Sequence, residues 1–98
     1  MTAPDAGAVT LTGRLRCRDE AEDAIVREHL PTHIELTRAE PGCLSFEVTP
    51  ASDPLVWEVA ERFTDAEAFA AHQARVRASA WGEATAGIER DYEVTGLP

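Results

Sequence analysis

Ninety-eight residues with a 44% apolar content predict a single globular domain, one that buries roughly 60–65% of the surface its unfolded chain exposes and would gain from association. Nine arginines, no lysine and eighteen carboxylic side chains give a formal charge of −9, which repels phosphate backbones and sets nucleic acid aside as a partner. No apolar run is long enough to span a bilayer and no basic residue precedes Arg14, so the reading is no membrane and a cytoplasmic location.

Residues 1–7 are small and polar, a flexible N-terminal arm, and residues 8–98 form the domain. Val9, Leu11, Gly13, Leu15 and Cys17 alternate with Thr10, Thr12, Arg14 and Arg16, the period of a strand with one apolar face. A helix follows, with Asp19 as its cap and Glu22 three residues on. Pro31 cannot donate a backbone bond, which predicts a kink or break there before the helix resumes through about Arg38. Pro41 and Gly42 end it.

Leu44, Phe46 and Val48 alternate with Ser45, Glu47 and Thr49 as a second strand, and the residues up to Pro54 form a turn. The third strand carries Leu55, Trp57, Val59 and Phe63 on one face and Val56, Glu58, Ala60 and Arg62 on the other. Thr64 and Glu67 have capping-box spacing. Ala66, Phe69, Ala70, Val76 and Ala80 then recur at helical intervals toward Trp81. Ile88, Arg90 and Tyr92 alternate with Glu89, Asp91 and Glu93 as a last strand.

The order β-α-β-β-α-β is the split arrangement of a ferredoxin-like α+β fold: a four-stranded antiparallel sheet with its helices on one face. The uncovered face would mix charged groups with small ones such as Thr12 and Ala60. Such a face predicts a sheet-to-sheet homodimer enclosing a cavity. Cys17 and Cys43 fall at opposite ends of the sheet, outside disulfide reach, and lack metal-ligand spacing.

His72, on the second helix, is the candidate catalytic base, because an imidazole of ordinary pKa about 6.5 can take and return a phenolic proton. Arg62 is the candidate partner for a developing anion, with Glu58 and Arg14 beside it on the open face. Trp81 and Tyr92 are candidate pocket walls, while Trp57 belongs under the helices. Glu61 lies on the other side of its strand from Arg62 and is expected to bond backbone or helix groups. His29 and His33 flank Pro31 without a third ligand nearby, so both are assigned to a solvated helix face and no metal site is expected.

The stretch "EPGCLSFEV", then "VWEVAERFTDAEAFAAH" and a tryptophan nine residues on, resembles the antibiotic biosynthesis monooxygenase family of dimeric ferredoxin-like proteins. The resemblance runs from about Val9 to Gly96. It implies oxidation of a small electron-rich aromatic of the quinol, phenol or anthrone type by dioxygen, with no flavin, haem or metal cofactor. The asparagine, tryptophan and tyrosine of anthrone-oxidising members fall at Val59, Phe63 and Phe69 here, and the iron-binding histidine of haem-degrading relatives falls near Trp81 or Gly82. None of those handles is present, so neither mechanism carries over. His72 matches the "AF-x-x-H" histidine of quinol-oxidising relatives. The alternatives are an isomerase or cyclase of the same fold, and a non-catalytic dimer that binds a small ligand.

Overall fold

A computed structural model describes residues 7–97, so most of the expected N-terminal arm lies outside the described residues. The elements are β1 (Val9–Arg16), α1 (Glu20–Arg38), β2 (Cys43–Pro50), β3 (Val56–Phe63), α2 (Ala66–Arg77), α3 (Ala80–Ala84) and β4 (Glu89–Thr95). The four strands form one antiparallel sheet in the order β2-β3-β1-β4. This is the ferredoxin-like arrangement that the alternation predicts.

Cross-strand partners share a face, so the register sorts every strand residue. One row reads Phe46, Glu61, Leu11 and Val94, and the next reads Val48, Val59, Gly13 and Tyr92. Trp57, Leu15 and Arg90 follow on the same face. Val9, Leu15, Phe46 and Phe63 from this face are fully buried together with Val26 of α1. At about 1.5–3 kcal/mol for each large side chain taken from water, this layer dominates the stability of so small a domain. The opposite face holds Thr10, Thr12, Arg14 and Arg16 beside Arg62, Ala60, Glu58 and Val56.

Local sequence explains the helices, with three departures from expectation. Asp19 caps α1 by accepting from the Glu22 N–H at 3.0 Å. Pro31 sits inside α1, which continues unbroken to Arg38. Pro31 and Arg27, whose carbonyl loses its usual donor, are both exposed, where water can take the free lone pair. The cap of α2 is Asp65, whose carboxylate accepts from Ala68 N–H at 2.8 Å, and not Thr64. The apolar stripe expected to run on to Ala80 stops at Arg77. Ser79 then caps the separate α3 by accepting from Gly82 N–H at 3.0 Å. A Cβ on Gly82 would lie 2.0 Å from the Val76 carbonyl oxygen, so the tight joint between α2 and α3 requires glycine there.

Trp57 packs under the helices as expected; its indole N–H donates to Asp23 of α1 at 2.9 Å, and Arg27 lies 5.1 Å over its ring. Cys17 and Cys43 are free thiols. Among the described residues no helix is long and apolar enough to cross a membrane, and no group of three or more His, Cys, Asp or Glu side chains could hold a metal ion.

Candidate functional site

A cavity of about 270 Å³ lies between the helix-covered face of the sheet and the three helices. Its apolar walls include Leu11, Phe46, Val59, Val76 and Trp81, and its polar groups include His33, Glu61, His72, Arg90 and Tyr92. The chamber is therefore interior to one chain, whereas the sequence reading placed it on the open face between two sheets. The difference has a simple cause. Two long helices laid on four strands leave a seam, and α3 only partly fills it.

His72 is the best-defined group in the chamber. Phe69 and His72, one turn apart on α2, are its two buried residues. Nδ1 of His72 lies 2.9 Å from Glu40 Oε1, and Arg75 Nε donates to the other Glu40 oxygen at 2.6 Å while its NH2 donates to Thr37 Oγ1 at 3.0 Å. A carboxylate paired with arginine can only accept, so Nδ1 carries the proton and Nε2 presents its lone pair. Burial holds the imidazole pKa below its usual value, Glu40 opposes that shift and Arg75 adds to it. A neutral imidazole with one free nitrogen is the form that accepts a proton.

Glu61 approaches His72 Nε2 at 3.6 Å, too far for a hydrogen bond. It is only 6% exposed, and its Oε1 has no hydrogen-bond partner. Burial pushes its pKa up to about 7, with Glu40 adding to the rise and Arg90 opposing it. Tyr92 is likewise pushed up to about 12 by burial, against the pull of Arg90, so its phenol remains a donor. Arg90 is itself held in place, since NH1 donates to the Thr85 carbonyl and NH2 to Thr85 Oγ1, both at 2.7 Å.

His33 corrects the expectation of a solvated face. It is 5% exposed, stacked on Trp81 with ring centroids 4.5 Å apart and planes 5° from parallel, and edge-on to Phe46 at 5.2 Å. Burial, with His72, Arg75 and Arg90 adding to it, lowers its pKa to about 3.

The structure thus brings three of the sequence candidates together: His72, Trp81 and Tyr92 line one chamber. It does not bring Arg62, Arg14 and Glu58 to them. Arg62 pairs in register with Thr10, and Arg14 with Glu58, on the far side of the sheet. Arg14 and Glu58 form an exposed ion pair at 3.6 Å and line a separate open-face groove.

Four residues of the site escaped the sequence reading. Glu61 and Arg90 shared the inward alternation with Val59 and Tyr92, so their position was legible although their role was not. His33 completes the buried stripe Val26, Leu30, His33 and Thr37 of α1, a four-three-four spacing readable as a helix face. Glu40 carried no comparable signal, because it precedes the turn and meets His72 only through the tertiary fold.

Comparison with known proteins bears on this geometry. The family model described as "Antibiotic biosynthesis monooxygenase" matches residues 8–84, which covers the elements from β1 through α3. A solved protein of Mycobacterium tuberculosis is 23% identical, with a TM-score of 0.71 over 90% of this chain and 92% of its own. The protein MupZ of Pseudomonas fluorescens is 20% identical, with a TM-score of 0.72 over 96% of this chain and 71% of its own. A Nitrosomonas europaea protein, provisionally titled an antibiotic biosynthesis monooxygenase, is 17% identical with a TM-score of 0.75, covering 97% of this chain and 94% of its own. At these identities the likeness establishes the fold alone. No curated protein matches the chain at significance.

Proposed function

The chain belongs to the antibiotic biosynthesis monooxygenase family, and from that premise we propose that it oxygenates a small electron-rich aromatic of the phenol, quinol or anthrone type, with His72 as the base. The observation that carries the reading is the buried His72, fixed through Nδ1 by Glu40 at 2.9 Å while its other nitrogen is left for the 270 Å³ chamber.

Dioxygen reacts slowly with closed-shell molecules, so an enzyme using no prosthetic group must first make its substrate easy to oxidise. Transfer of a phenolic proton to His72 Nε2 makes the electron-rich phenolate. The apolar walls reduce competition from water and strengthen each polar contact within. Arg90 and the Tyr92 hydroxyl supply positive charge and a donor for the anion, the task the sequence reading gave to Arg62. In the net reaction a ring C–H and the phenolic O–H are replaced by two C=O groups; one atom of O2 enters the quinone and the other leaves as water.

The test is oxygen uptake with phenols, quinols and anthrones, coupled to 18O2 labelling of the product. The expected result is one labelled oxygen per product in the wild type and a loss of at least about a hundredfold in His72→Asn, the usual worth of a positioned base. Equal uptake by the two proteins would remove His72 from the mechanism. A second reading is favoured by Glu61 lying 3.6 Å from His72: an acid beside a base can move a proton between two carbons of a carbonyl compound, as an isomerase or cyclase does. Product formed under argon would select it, whereas ligand binding with no product in either atmosphere would select the non-catalytic alternative.

We also propose that the open face, where Thr12 and Ala60 lie among Arg14, Glu58 and Asp91, packs on a second copy as a homodimer. Light scattering behind size exclusion should give twice the chain mass of 10.6 kDa, and a mass of one chain at micromolar concentration would refute it.

A further inference from the structure

We infer that His33 and Glu61 are the two polar anchors that select the ligand, and that this ligand is a one- or two-ring body carrying two uncharged oxygen groups, at least one of them a hydroxyl. The inference rests on the reading of the chamber as a ligand site and adds to it which residues recognise the ligand and what they require.

Native interiors pair almost all their buried polar groups, and leaving one unpaired costs stability. Among the described residues two buried side-chain polar atoms have no hydrogen-bond partner, His33 Nδ1 and Glu61 Oε1. Both residues line the same chamber. Two such atoms scattered through a core would be isolated faults; converging on one cavity, they form the pattern of a site whose partners arrive with a ligand.

Both side chains are held on the chamber side by their surroundings. His33 is clamped flat against Trp81 at 4.5 Å and edge-on to Phe46 at 5.2 Å. Glu61 stands in the sheet between Leu11 and Phe46. Positioning by rigid neighbours is what allows a polar group to discriminate among ligands.

The chemistry of each anchor limits what it can hold. His33 is buried among aromatic rings and disfavours charge, its pKa lying at about 3, so it presents one neutral ring nitrogen suited to a hydroxyl or a carbonyl, and the Glu61 carboxyl in the same chamber disfavours a ligand carboxylate. Glu61 Oε1 beside the His72 lone pair suits a hydroxyl, which can give its proton to either. The ring centroids of His33 and His72 are 6.2 Å apart, so both stations are within reach of one small ring system. A cavity of 150 Å³ is known to accept benzene; one of about 270 Å³ accommodates a second ring, which favours the smaller members of the phenol, quinol and anthrone range.

Binding to the intact protein under argon, followed by isothermal titration, separates the possibilities. The probes are naphthalene, 1-naphthol and 1,4-dihydroxynaphthalene, and circular dichroism confirms that each variant is folded. In the wild type each added hydroxyl should tighten binding roughly tenfold, the effect of pairing a buried orphan. His33→Phe keeps an aromatic ring against Trp81 and should reduce the preference for diol over mono-ol to near unity; His33→Asn serves if the Phe variant does not fold. Glu61→Leu should weaken both hydroxylated probes at least tenfold, and Glu61→Gln, which retains an acceptor oxygen, should recover most of that loss.

Equal wild-type affinity for all three rings, or a diol preference that survives at His33→Phe or His33→Asn, would overturn the inference while leaving the chamber a binding site for aromatics. Failure of every probe to bind the folded wild type would refute the ligand-site reading and this inference with it.

Discussion

Replacing Glu61 by Gln keeps the shape of the side chain and removes its titration. In the fold the Glu61 carboxyl is raised from 4.5 to about 7. At about 1.4 kcal/mol per pH unit, ionising it in place costs on the order of 3 kcal/mol more than ionising it in the unfolded chain. The sign follows from proton counting. Between pH 4.5 and about 7 the folded protein holds a proton that the unfolded chain has released, so Glu61 contributes fully below the lower value and its contribution disappears as pH rises through the upper one.

His33 acts in the opposite sense. Its pKa falls from 6.5 to about 3 on folding, so its contribution is present above 6.5 and is lost as pH falls. Wild-type stability alone would therefore show the two slopes partly cancelling between pH 4.5 and 6.5. His33 is common to both proteins, which makes the difference between wild type and Glu61→Gln the informative quantity. Thermal melts from pH 4 to 8 should show Glu61→Gln gaining on the wild type as pH rises, by on the order of 10 °C in total at this chain length. A difference that stays constant over that range would mean that Glu61 titrates alike in the folded and unfolded chains, and the account of a desolvating chamber would fail.

Two further substitutions test how the scaffold positions the site. Asp65→Ala should cost about 1 kcal/mol in urea unfolding through loss of the α2 cap, whereas Thr64→Ala should cost only a few tenths, and the reverse order would restore the cap that sequence spacing first indicated. Gly13→Ala would set a Cβ 2.1 Å from the Asp91 carbonyl oxygen at a backbone φ of +152°, forcing β4 away from β1; it should destabilise by at least about 2 kcal/mol and speed amide exchange along Glu89–Thr95, the strand that carries Arg90 and Tyr92.

How far the site was legible depends on which kind of regularity placed each residue. Strand alternation assigned Leu11, Val59, Glu61, Arg90 and Tyr92 to one face, and the register bears this out residue by residue. Charge marks the other face, where Arg62, Arg14 and Glu58 lie away from the chamber. On a sheet with one face left uncovered by helices, charges there are unremarkable because water solvates them in the single chain. A carboxylate on the covered side is the informative one, since the fold must bear the cost of drying it. By that criterion Glu61 stands out from the alternation alone.

The break at Ser79 and the tight joint at Gly82 were harder to read, because helical periodicity runs through residues 78–81 without interruption. Yet that break turns Trp81 back onto His33 and gives the chamber its far wall. The contact pairs a residue of α1 with one of α3 nearly fifty positions later in the chain. No local pattern encodes such a pairing. Only the sheet, by fixing where both helices lie, brings the two rings together, and in doing so it leaves His33 and Glu61 facing a space that their own chain does not fill.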